Sequence, residues 1–584
     1  TLAMVLGEKG QILKDYSQQT QDEELLKLAM TTFSRAIEAI DAAQFSYKSK
    51  GSVANLKAEF DPVYEHAIAV AFMLYEKSKE DQYLDQAFKF SEKNKAALLV
   101  AALNETRARE FAGIPLELQE KESTLKRNLG YYEQLLLEGN EEAEADLQNK
   151  IFNLKNQYDL FIDDIEKNYP KYFQLKYEAA TITASDVQKS LTDDEVLIEY
   201  FLGQEDLYAF VFGSTFADFI KINIEEGFLE RINELRLTLA DPGGDLSHFR
   251  NISNRLYRDL MLPFDERLNG QHLTFILDNE LGYIPFEVLV KNESGEVSIS
   301  NAYLLEEHAI SYSYSATFRD QMMKERRSNK DVRYLAFAPN FNDRDEDGDP
   351  DEPDLLAYND LVRGGLAELK GAQREVESLA TFFDGDYFQQ FDAHESLFKS
   401  IGKNYEIIHL ATHAIIDDIN PLNSRLLFTI EGDTADDGNL HAWELFSMNL
   451  DADLAVLSAC NTGFGKIQKG EGIQSLGRAF AYAGCPSRLM SLWPAQDAST
   501  ADIMEDFYSQ LSGGLSKDEA LRRAKLSYLE GAAEFNLHPF YWAGFVLQGD
   551  PTPLVEKSRW WLWGLIILAL PIAMLIFRRR FITT

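Results

Sequence analysis

The hydrophobic pattern of this chain of 584 residues changes its period at about residue 196. Before that point, apolar residues recur every three to four positions, which is typical of amphipathic helices. After it come short apolar runs separated by helical stretches such as Ala372–Phe383 and Ala498–Leu511. The runs are VLIEYFL, DLYAFVFG, LTFILD, YLAFAP, EIIHLATHA, LAVLSAC and RLMSLW. Such runs between helices indicate a sheet covered on both faces, so the fold class is α followed by α/β, with the α/β domain over residues 189–552.

Residues 1–115 have the pattern of TPR-like helical repeats. Ala29, Phe33 and Ala36 follow the spacing of the second helix of such a repeat, which places small residues where helices cross closely. A second pair of helices from Pro62 to Lys95 spans about 34 residues, the TPR period. Its apolar face consists of Tyr64, Ala67, Ile68, Ala71, Leu74 and Tyr75. A generic helical bundle is the alternative interpretation.

Residues 116–188 predict a helical hairpin, with Gly139 and Asn140 at its turn. The apolar residues of its second helix alternate at spacings of four and three, which is a heptad seam: Leu147, Ile151, Leu154, Tyr158, Phe161 and Ile165. The hairpin can serve as a spacer or as a dimer contact. We expect residues 1–184 to fold as a separate helical unit that binds a protein partner in its concave surface.

The charge balance and the cysteine count exclude several classes of protein. The chain has 57 Lys and Arg against 95 Asp and Glu, a net charge of −38. This charge argues against nucleic-acid binding, because phosphate contacts need clustered cations. The 2 cysteines exclude a disulfide framework and a zinc site built on several thiolates. No cofactor is implied.

An acidic loop partly matches a calcium-binding loop. Asp343, Asp345 and Asp347 follow the D-x-D-x-D-G pattern, and Asp354 stands at its twelfth position. Asp354 replaces the bidentate Glu of that loop, and Pro350 stiffens the segment. A solvated acidic loop without a metal is therefore the favoured interpretation.

Residues 560–577 form an uncharged apolar run with tryptophans at one end. Its length suits a transmembrane helix, and the sequence therefore predicts a single-pass membrane protein that contacts the lipid bilayer through this run. Arg578, Arg579 and Arg580 favour a cytoplasmic C-terminus, with the α/β domain on the other side of the membrane. A tail anchor with a cytoplasmic domain is the alternative. The chain begins at Thr1 without a Met and looks like a fragment.

Two of the predicted strands end in reactive residues. EIIHLAT leads to His413 and LAVLSA leads to Cys460. Sites in α/β sheets form at the carboxyl ends of strands, so adjacent strands would bring these residues together. An imidazole can activate a thiol as a nucleophile and then protonate the leaving amine. His409 and His413 are four residues apart on a strand, roughly 13 Å, which disfavours a metal chelate between them. We interpret Cys485, which precedes Pro486 at a strand start, as a structural residue.

The runs HLATHA and LSACNTG resemble the CHAT family, caspase-like domains associated with TPR repeats. So do LGYIPFEVL, KGEGIQSLGRAFAYAG and HPFYWAGFVLQGD. The resemblance extends from about Val196 to Asp550. It implies a clan-CD-type cysteine endopeptidase with His413 as base and Cys460 as nucleophile, and an oxyanion hole from the backbone of Ala414 and Cys460.

The resemblance leaves two functions open. The first is a membrane-anchored cysteine endopeptidase whose repeats bind a partner or a protein substrate. The second is a catalytically silent interaction scaffold at the membrane. In a relative of the same clan, the acidic residue at the end of a W-x3-D run meets a P1 arginine, and Asp497 ends such a run here. Asp497 is thus a candidate for the S1 subsite, with helix capping as the alternative.

Overall fold

The computed structural model of the chain describes fourteen stretches of residues. These are 2–44, 50–111, 113–137, 144–169, 171–172, 181–204, 206–268, 272–291, 303–324, 331–339, 341, 369–459, 461–494 and 497–555. They form an N-terminal helical region followed by an α/β domain.

The helical region begins with five helices, of which the first four pack in sequence order. They are α1 (Leu2–Thr20), α2 (Glu23–Gln44), α3 (Lys50–Ser78), α4 (Asp81–Asn94) and α5 (Ala97–Phe111). The three residues of the repeat pattern, Ala29, Phe33 and Ala36, are fully buried. Gly10 makes room for the Phe33 ring, because a Cβ at Gly10 would lie 2.7 Å from it. Gly10, which lies outside the repeat pattern, therefore permits the close crossing of α1 and α2.

Helices α6 (Leu116–Leu137) and α7 (Glu144–Asn168) form a hairpin. Tyr158 of α7 donates a hydrogen bond to Glu122 of α6 over 3.3 Å, and Lys155 pairs with Glu133 at 2.7 Å. Phe161 and Ile165 lie in a small core beside Leu118 and Leu125, as the heptad seam predicts. The pairing is antiparallel, since positions later in α7 meet positions earlier in α6.

One sheet of eleven strands forms the centre of the α/β domain. Its strands are β1 (Glu195–Leu202), β2 (Leu207–Gly213), β3 (Phe216–Ile222), β4 (His272–Ile276), β5 (Ala309–Ser313), β6 (Arg333–Pro339), β7 (Asp384–Gln390), β8 (Ile407–Ala411), β12 (Leu454–Ser458), β15 (Ser487–Ser491) and β16 (Phe545–Gly549). Their order is β3-β2-β1-β4-β5-β16-β15-β12-β8-β6-β7. Five short strands lie outside this sheet: β9 (Ala414–Ile415), β10 (Arg425–Leu427), β11 (Asn439–His441), β13 (Lys466–Gln468) and β14 (Gly472–Gln474).

The direction of the strands divides the large sheet into two halves. In the first half β1, β4 and β5 are parallel, whereas β2 and β3 are antiparallel neighbours at the edge. In the second half β15, β12, β8, β6 and β7 are parallel. Strand β16 joins the halves, because it runs antiparallel to β15 and parallel to β5.

The helices of the α/β domain cover this sheet and connect its strands. They are α8 (Ala184–Ser190), α9 (Phe228–Leu239), α10 (Leu246–Leu260), α11 (Leu304–Glu307), α12 (Ala316–Lys324), α13 (Lys370–Phe382), α14 (Glu395–Ile401), α15 (Ala442–Leu445), α16 (Leu476–Tyr482), α17 (Asp497–Ser512) and α18 (Lys517–Gly531). The predicted helices 372–383 and 498–511 correspond to α13 and α17.

The N-terminal helices pack directly on one face of β1–β3. Because side chains alternate along a strand, Leu197, Glu199 and Phe201 of β1 face these helices. The ring of Phe88 lies 4.9 Å from that of Phe212, and Phe72 lies 5.1 Å from Phe219, measured between centroids. The helices and the strands thus share one hydrophobic core. This arrangement differs from the expected separate unit over residues 1–184.

The prediction of a single-pass membrane protein is corrected. Among the residues that the structure describes, no helix has the length and apolar character needed to cross a bilayer. The predicted span 560–577 itself lies outside the described residues. So do Cys460 and the acidic loop with Asp343, Asp345, Asp347 and Asp354.

Candidate active site

The strands that lead to His413 and Cys460 are parallel neighbours. Ala411 at the end of β8 is paired with Ser458 at the end of β12. Thr412 continues this pairing, since its N–H donates to the Ser458 carbonyl over 3.3 Å. His413 therefore follows a strand end that is level with the strand end before Cys460.

Hydrogen bonds fix the segments on both sides of Cys460. The Ser491 hydroxyl, at the end of β15, donates to the Ala459 carbonyl over 2.5 Å. After the cysteine, Asn461 has a φ of 59°, in the left-handed region, and its carbonyl accepts from Phe464 N–H at 2.9 Å. Buried Thr462 accepts from Ser491 N–H and donates to the Leu457 carbonyl, both over 3.1 Å. The chain around Cys460 is thus tied to two neighbouring strands.

His413 is half-buried and its backbone is held by a small second sheet. The His413 carbonyl accepts a hydrogen bond from Leu427 N–H over 3.0 Å, and the Thr412 hydroxyl donates to the Leu427 carbonyl. Ala414, in β9, is paired with Leu426 in β10. The ring of Phe341 lies 4.9 Å from the imidazole, edge to face. These contacts orient the histidine just beyond the carboxyl end of β8.

His409 and Cys485 both lie in the core, and for Cys485 this agrees with the structural role expected from the sequence. His409 is fully buried, with Nδ1 2.6 Å from the Tyr508 hydroxyl and Nε2 3.4 Å from Glu375. Cys485 is fully buried, and burial raises the pKa of its thiol to about 12. Cys485 is therefore a protonated, inert thiol at neutral pH.

Asp497 is the first residue of α17, and its side chain lies outside the described part of the structure. The S1 role and the capping role therefore both stay predictions. The preceding W-x3-D run starts at Trp493, whose indole N–H donates to the Phe540 carbonyl over 2.9 Å. This bond ties the end of β15 to the segment before β16.

One acidic cluster in the described residues has the spacing of metal ligands. Carboxylate oxygens of Glu395, Asp436 and Glu444 all lie within 4.8 Å of one another. The ammonium of Lys399 already lies among them, 2.7, 2.7 and 2.5 Å from the three residues. The arrangement is therefore an ion-pair cluster with its own cation. Sequence analysis did not find this cluster, because Glu395 and Lys399 lie on α14 whereas Asp436 and Glu444 come from later segments.

The helical region also contacts the segment that follows Cys460. Ala96 N–H donates to the Gly470 carbonyl over 2.8 Å, and Leu98 N–H donates to Glu471 over 3.0 Å. Glu471 is fully buried and pairs with buried Arg478 at 2.6 Å. Sequence analysis missed this contact, because Glu471 resembles any of the 95 acidic residues of the chain.

The family model of the CHAT domain matches residues 250–550, which is more than half of the chain. The chain belongs to the CHAT domain family. The CHAT match begins inside α10 and ends just after β16. It includes both strands that lead to His413 and Cys460, and it leaves out β1–β3.

Relatives of this CHAT protein include tetratricopeptide repeat protein 28 of Mus musculus and of Homo sapiens. Each is 34% identical over 119 residues, which are 20% of this chain and 5% of the relative. The chain thus spans a small part of the curated relatives that it matches. Similar solved structures include two of the Saccharomyces cerevisiae separase–securin complex, with TM-scores of 0.42 and 0.37 and identities of 9% and 10%. Both matches cover 94% of this chain and 47% of the solved chain.

Proposed function

We propose that this chain is a cysteine endopeptidase in which His413 is the general base and Cys460 the nucleophile. The Cys460 thiol transfers its proton to His413, and the thiolate attacks the carbonyl carbon of the scissile bond. The C–N bond breaks as His413 protonates the leaving amine. Water, deprotonated by His413, then cleaves the thioester and restores the thiol. Backbone N–H groups of Ala414 and Cys460 would stabilise the oxyanion.

The observation that carries the proposal is the pairing of the two strand ends. Ala411 and Ser458 are level, and His413 and Cys460 each follow by two residues. Hydrogen bonds from Ser491 and Thr462 hold the chain on both sides of the cysteine. Catalysis by a dyad needs such fixed geometry, because a small displacement removes much of the rate gain. Membership of the CHAT family supports the same assignment.

Replacing Cys460 by Ala should abolish both peptide hydrolysis and labelling by an electrophilic peptide probe. His413→Ala should lower both by a comparable factor, since the two residues act as one unit. Cys485→Ala is the matched control and should keep the labelling, because the buried Cys485 thiol does not react. Labelling of Cys460 that is independent of His413, without hydrolysis, would instead favour an interaction scaffold that has lost catalysis.

We further propose that Asp497 belongs to the S1 subsite and selects a basic P1 residue. A carboxylate in a partly closed pocket pairs bidentately with guanidinium and less specifically with ammonium. Asp497→Asn should lose the preference for Arg and Lys while thiol labelling is retained. If the variant cleaves basic substrates as before and only melts at a lower temperature, Asp497 is a helix cap and not a specificity residue.

The helical region is proposed to bind a protein partner. Support comes from α1, whose outer surface exposes apolar side chains: Leu2, Val5, Ile12 and Tyr16 are 67, 62, 67 and 55% exposed. Exposed apolar patches of this kind mark interaction sites. Ile12→Asp should reduce recovery of a partner that co-purifies with the chain, whereas Leu237→Asp on α9 should not. Equal recovery with both variants would remove α1 from the interface.

A further inference from the structure

A cavity of about 70 Å³ lies where the two halves of the large sheet meet. The ends of β4 and β5 line one side, and the end of β15 lines the other. The β13–β14 hairpin and the junction of α4 and α5 also contribute to the wall. Gly463, three residues after Cys460, contributes as well. The cavity therefore lies where the strand direction of the sheet reverses, between β15 and β16.

The cavity has an apolar wall and is large enough for a small organic molecule. The apolar lining residues are Leu277, Ile284, Ile473, Met490, Leu492 and Val546. One water needs about 10–15 Å³ of such space, so the cavity holds roughly five or six water-sized groups. A ligand of about that many non-hydrogen atoms, with an aliphatic middle, would fill it.

The strongest donor on the wall is already used. The Lys95 ammonium has three hydrogens, and it donates to Ser91 Oγ over 3.0 Å, to Glu199 Oε1 over 2.9 Å and to the Tyr200 carbonyl over 2.5 Å. Lys95 therefore has no hydrogen left for a ligand. A ligand that accepts hydrogen bonds would find no charged donor at this end of the cavity.

Acceptors on the wall, in contrast, have free capacity. Gln548 is only 8% exposed, and its Oε1 has no hydrogen-bond partner among the described residues. Asp278 is 9% exposed, and the structure records one hydrogen bond to its carboxylate, from Leu202 N–H over 3.0 Å. An ionised carboxylate can accept about four. A buried acceptor without a partner is costly, which points to a ligand that donates N–H groups.

Charge around the Asp278 end of the cavity is predominantly negative. Asp61, Glu92, Glu199 and Asp278 interact electrostatically in one group with Lys95. The ammonium of half-exposed Lys469 lies 3.8 Å from Asp61, which is its ion-pair partner among the described residues. Burial raises the pKa of Asp278 to about 6, so this carboxylate is ionised at neutral pH although it lacks a direct cationic partner among the described residues. A bound cation would stabilise its ionised form.

The strand register places Asp278 and Gln548 at opposite ends of the cavity. Gln548 is paired with Tyr312, and Tyr312 is paired with Phe275, which precedes Asp278 by three residues. At about 3.3 Å per residue the two backbone positions differ by roughly 10 Å along the strands, and two strand spacings of about 4.8 Å each also separate them across the sheet. One ammonium cannot reach both acceptors. A ligand with a nitrogen donor at each end can.

We propose that this cavity is a binding site for an aliphatic chain that carries an ammonium group at one end and a second N–H donor at the other. The ammonium pairs with Asp278, the chain packs on Leu277, Ile473 and Met490, and the far donor bonds to Gln548. A free diamine has this chemistry, and so does a lysine side chain with its backbone amide. The site is separate from the proposed chemistry of Cys460, so it is tested on the Cys460→Ala protein as well as on the wild type.

Binding of putrescine, n-butylamine and n-butanol to the full chain should be compared by calorimetry. Putrescine should bind saturably and n-butanol should not, because the butanol lacks the cation. Asp278→Asn should weaken putrescine binding by about tenfold or more, the size expected when a desolvated charge-assisted contact is lost. Glu120→Gln, at an exposed position on α6, makes the same change in net charge and should leave binding unchanged.

Gln548→Met tests the other end of the cavity. It removes the side-chain carbonyl, which has no partner among the described residues, and keeps a side chain of similar length. It should weaken putrescine binding severalfold and leave the weaker binding of n-butylamine unchanged, since that amine has one donor end. Nα-acetyl-lysine N-methylamide distinguishes a peptide lysine from a free diamine as the natural ligand. If it binds more tightly than putrescine, the site takes a lysine of a peptide. If it binds more weakly, the site takes a free diamine. Absence of saturable binding by every amine would overturn the proposal, as would binding that neither variant weakens.

Discussion

His272 shows how one residue can set a pH dependence of stability. Its Nδ1 lies 2.7 Å from Asp518, which is buried at the start of α18, and this bond raises the pKa of His272 above its ordinary value of 6.5. A raised pKa in the folded state means that the stabilisation is fully present below pH 6.5. It is lost as the pH rises through the higher value of the folded state.

The chain should therefore lose stability, on the order of 1 kcal/mol from this pair, as the pH rises above 6.5 and through the raised pKa of His272. His272→Gln should remove that part of the pH dependence in thermal melts. His248, which is 53% exposed beside Glu234, is the matched control, because exposed pairs contribute little. A His272→Gln protein whose melting temperature falls as steeply as that of the wild type would contradict the assignment.

Single residues differ in how far the sequence predicts their roles. His413 and Cys460 were found because each ends an apolar run, and a strand end is a position at which a reactive residue has chemical meaning. Asp278 and Gln548 were missed, although Asp278 follows the strand run LTFILD. Their proposed role depends on two groups that the described residues do not supply. Asp278 has no direct cationic partner there, and the Gln548 carbonyl has no hydrogen-bond donor. Only the packed arrangement reveals that.

At the scale of elements, the carboxylate of Glu92 on α4 caps the N-terminus of α12. Its two oxygens accept from Ala316 N–H over 2.9 Å and from Thr317 N–H over 2.6 Å, and Glu92 is only 4% exposed. The first N–H groups of a helix lack partners within the helix, and its dipole favours a negative charge there. This cap therefore joins the helical region to the α/β domain.

Glu92→Ala should lower the free energy of unfolding by about 2–3 kcal/mol, since it leaves two buried N–H groups without acceptors. Urea unfolding followed by tryptophan fluorescence measures the shift of the midpoint. Glu76→Ala on α3 is the control, because Glu76 is half-exposed and pairs only with exposed Lys79. Equal midpoints for the two variants would show that the cap does not stabilise the junction.

The elements with a strong apolar pattern were predicted and the polar ones were not. Strands β8 and β12 are fully buried and read as continuous apolar runs. Strand β7 has the sequence DGDYFQQ and lies at the edge of the sheet, where most of its residues are exposed. Because it contains no apolar run, it was not predicted. Strand β5 (AISYS) is buried, but its serines and tyrosine conceal the run. Strands that are exposed, or that are rich in hydroxyl side chains, are therefore not found from apolar runs in the sequence.

At the scale of the whole molecule, the hydrophobic core crosses the boundary at which the period changes. Helices α1–α4 and strands β1–β3 contribute to one cluster of buried side chains. Lys95 of the helical region pairs with Glu199 of β1 at 2.9 Å, both nearly fully buried. The sequence predicted the change of period at about residue 196 and the sheet covered on both faces. The sequence did not predict which layer covers β1–β3, because an apolar face does not specify which element packs against it.

A fragment of residues 1–184 should consequently fail to fold as an ordered unit. It would expose Phe72 and Phe88, which pack on Phe212 and Phe219 in the chain, and it would leave Lys95 without Glu199. Exposed apolar surface of this kind favours loose or aggregated states. Circular dichroism of the fragment should show helix without a cooperative melt, together with strong binding of a hydrophobic dye. The chain ending at residue 555 is the control and should melt sharply. A dispersed NMR spectrum and a cooperative melt from the isolated fragment would show that the helices are stable without the sheet.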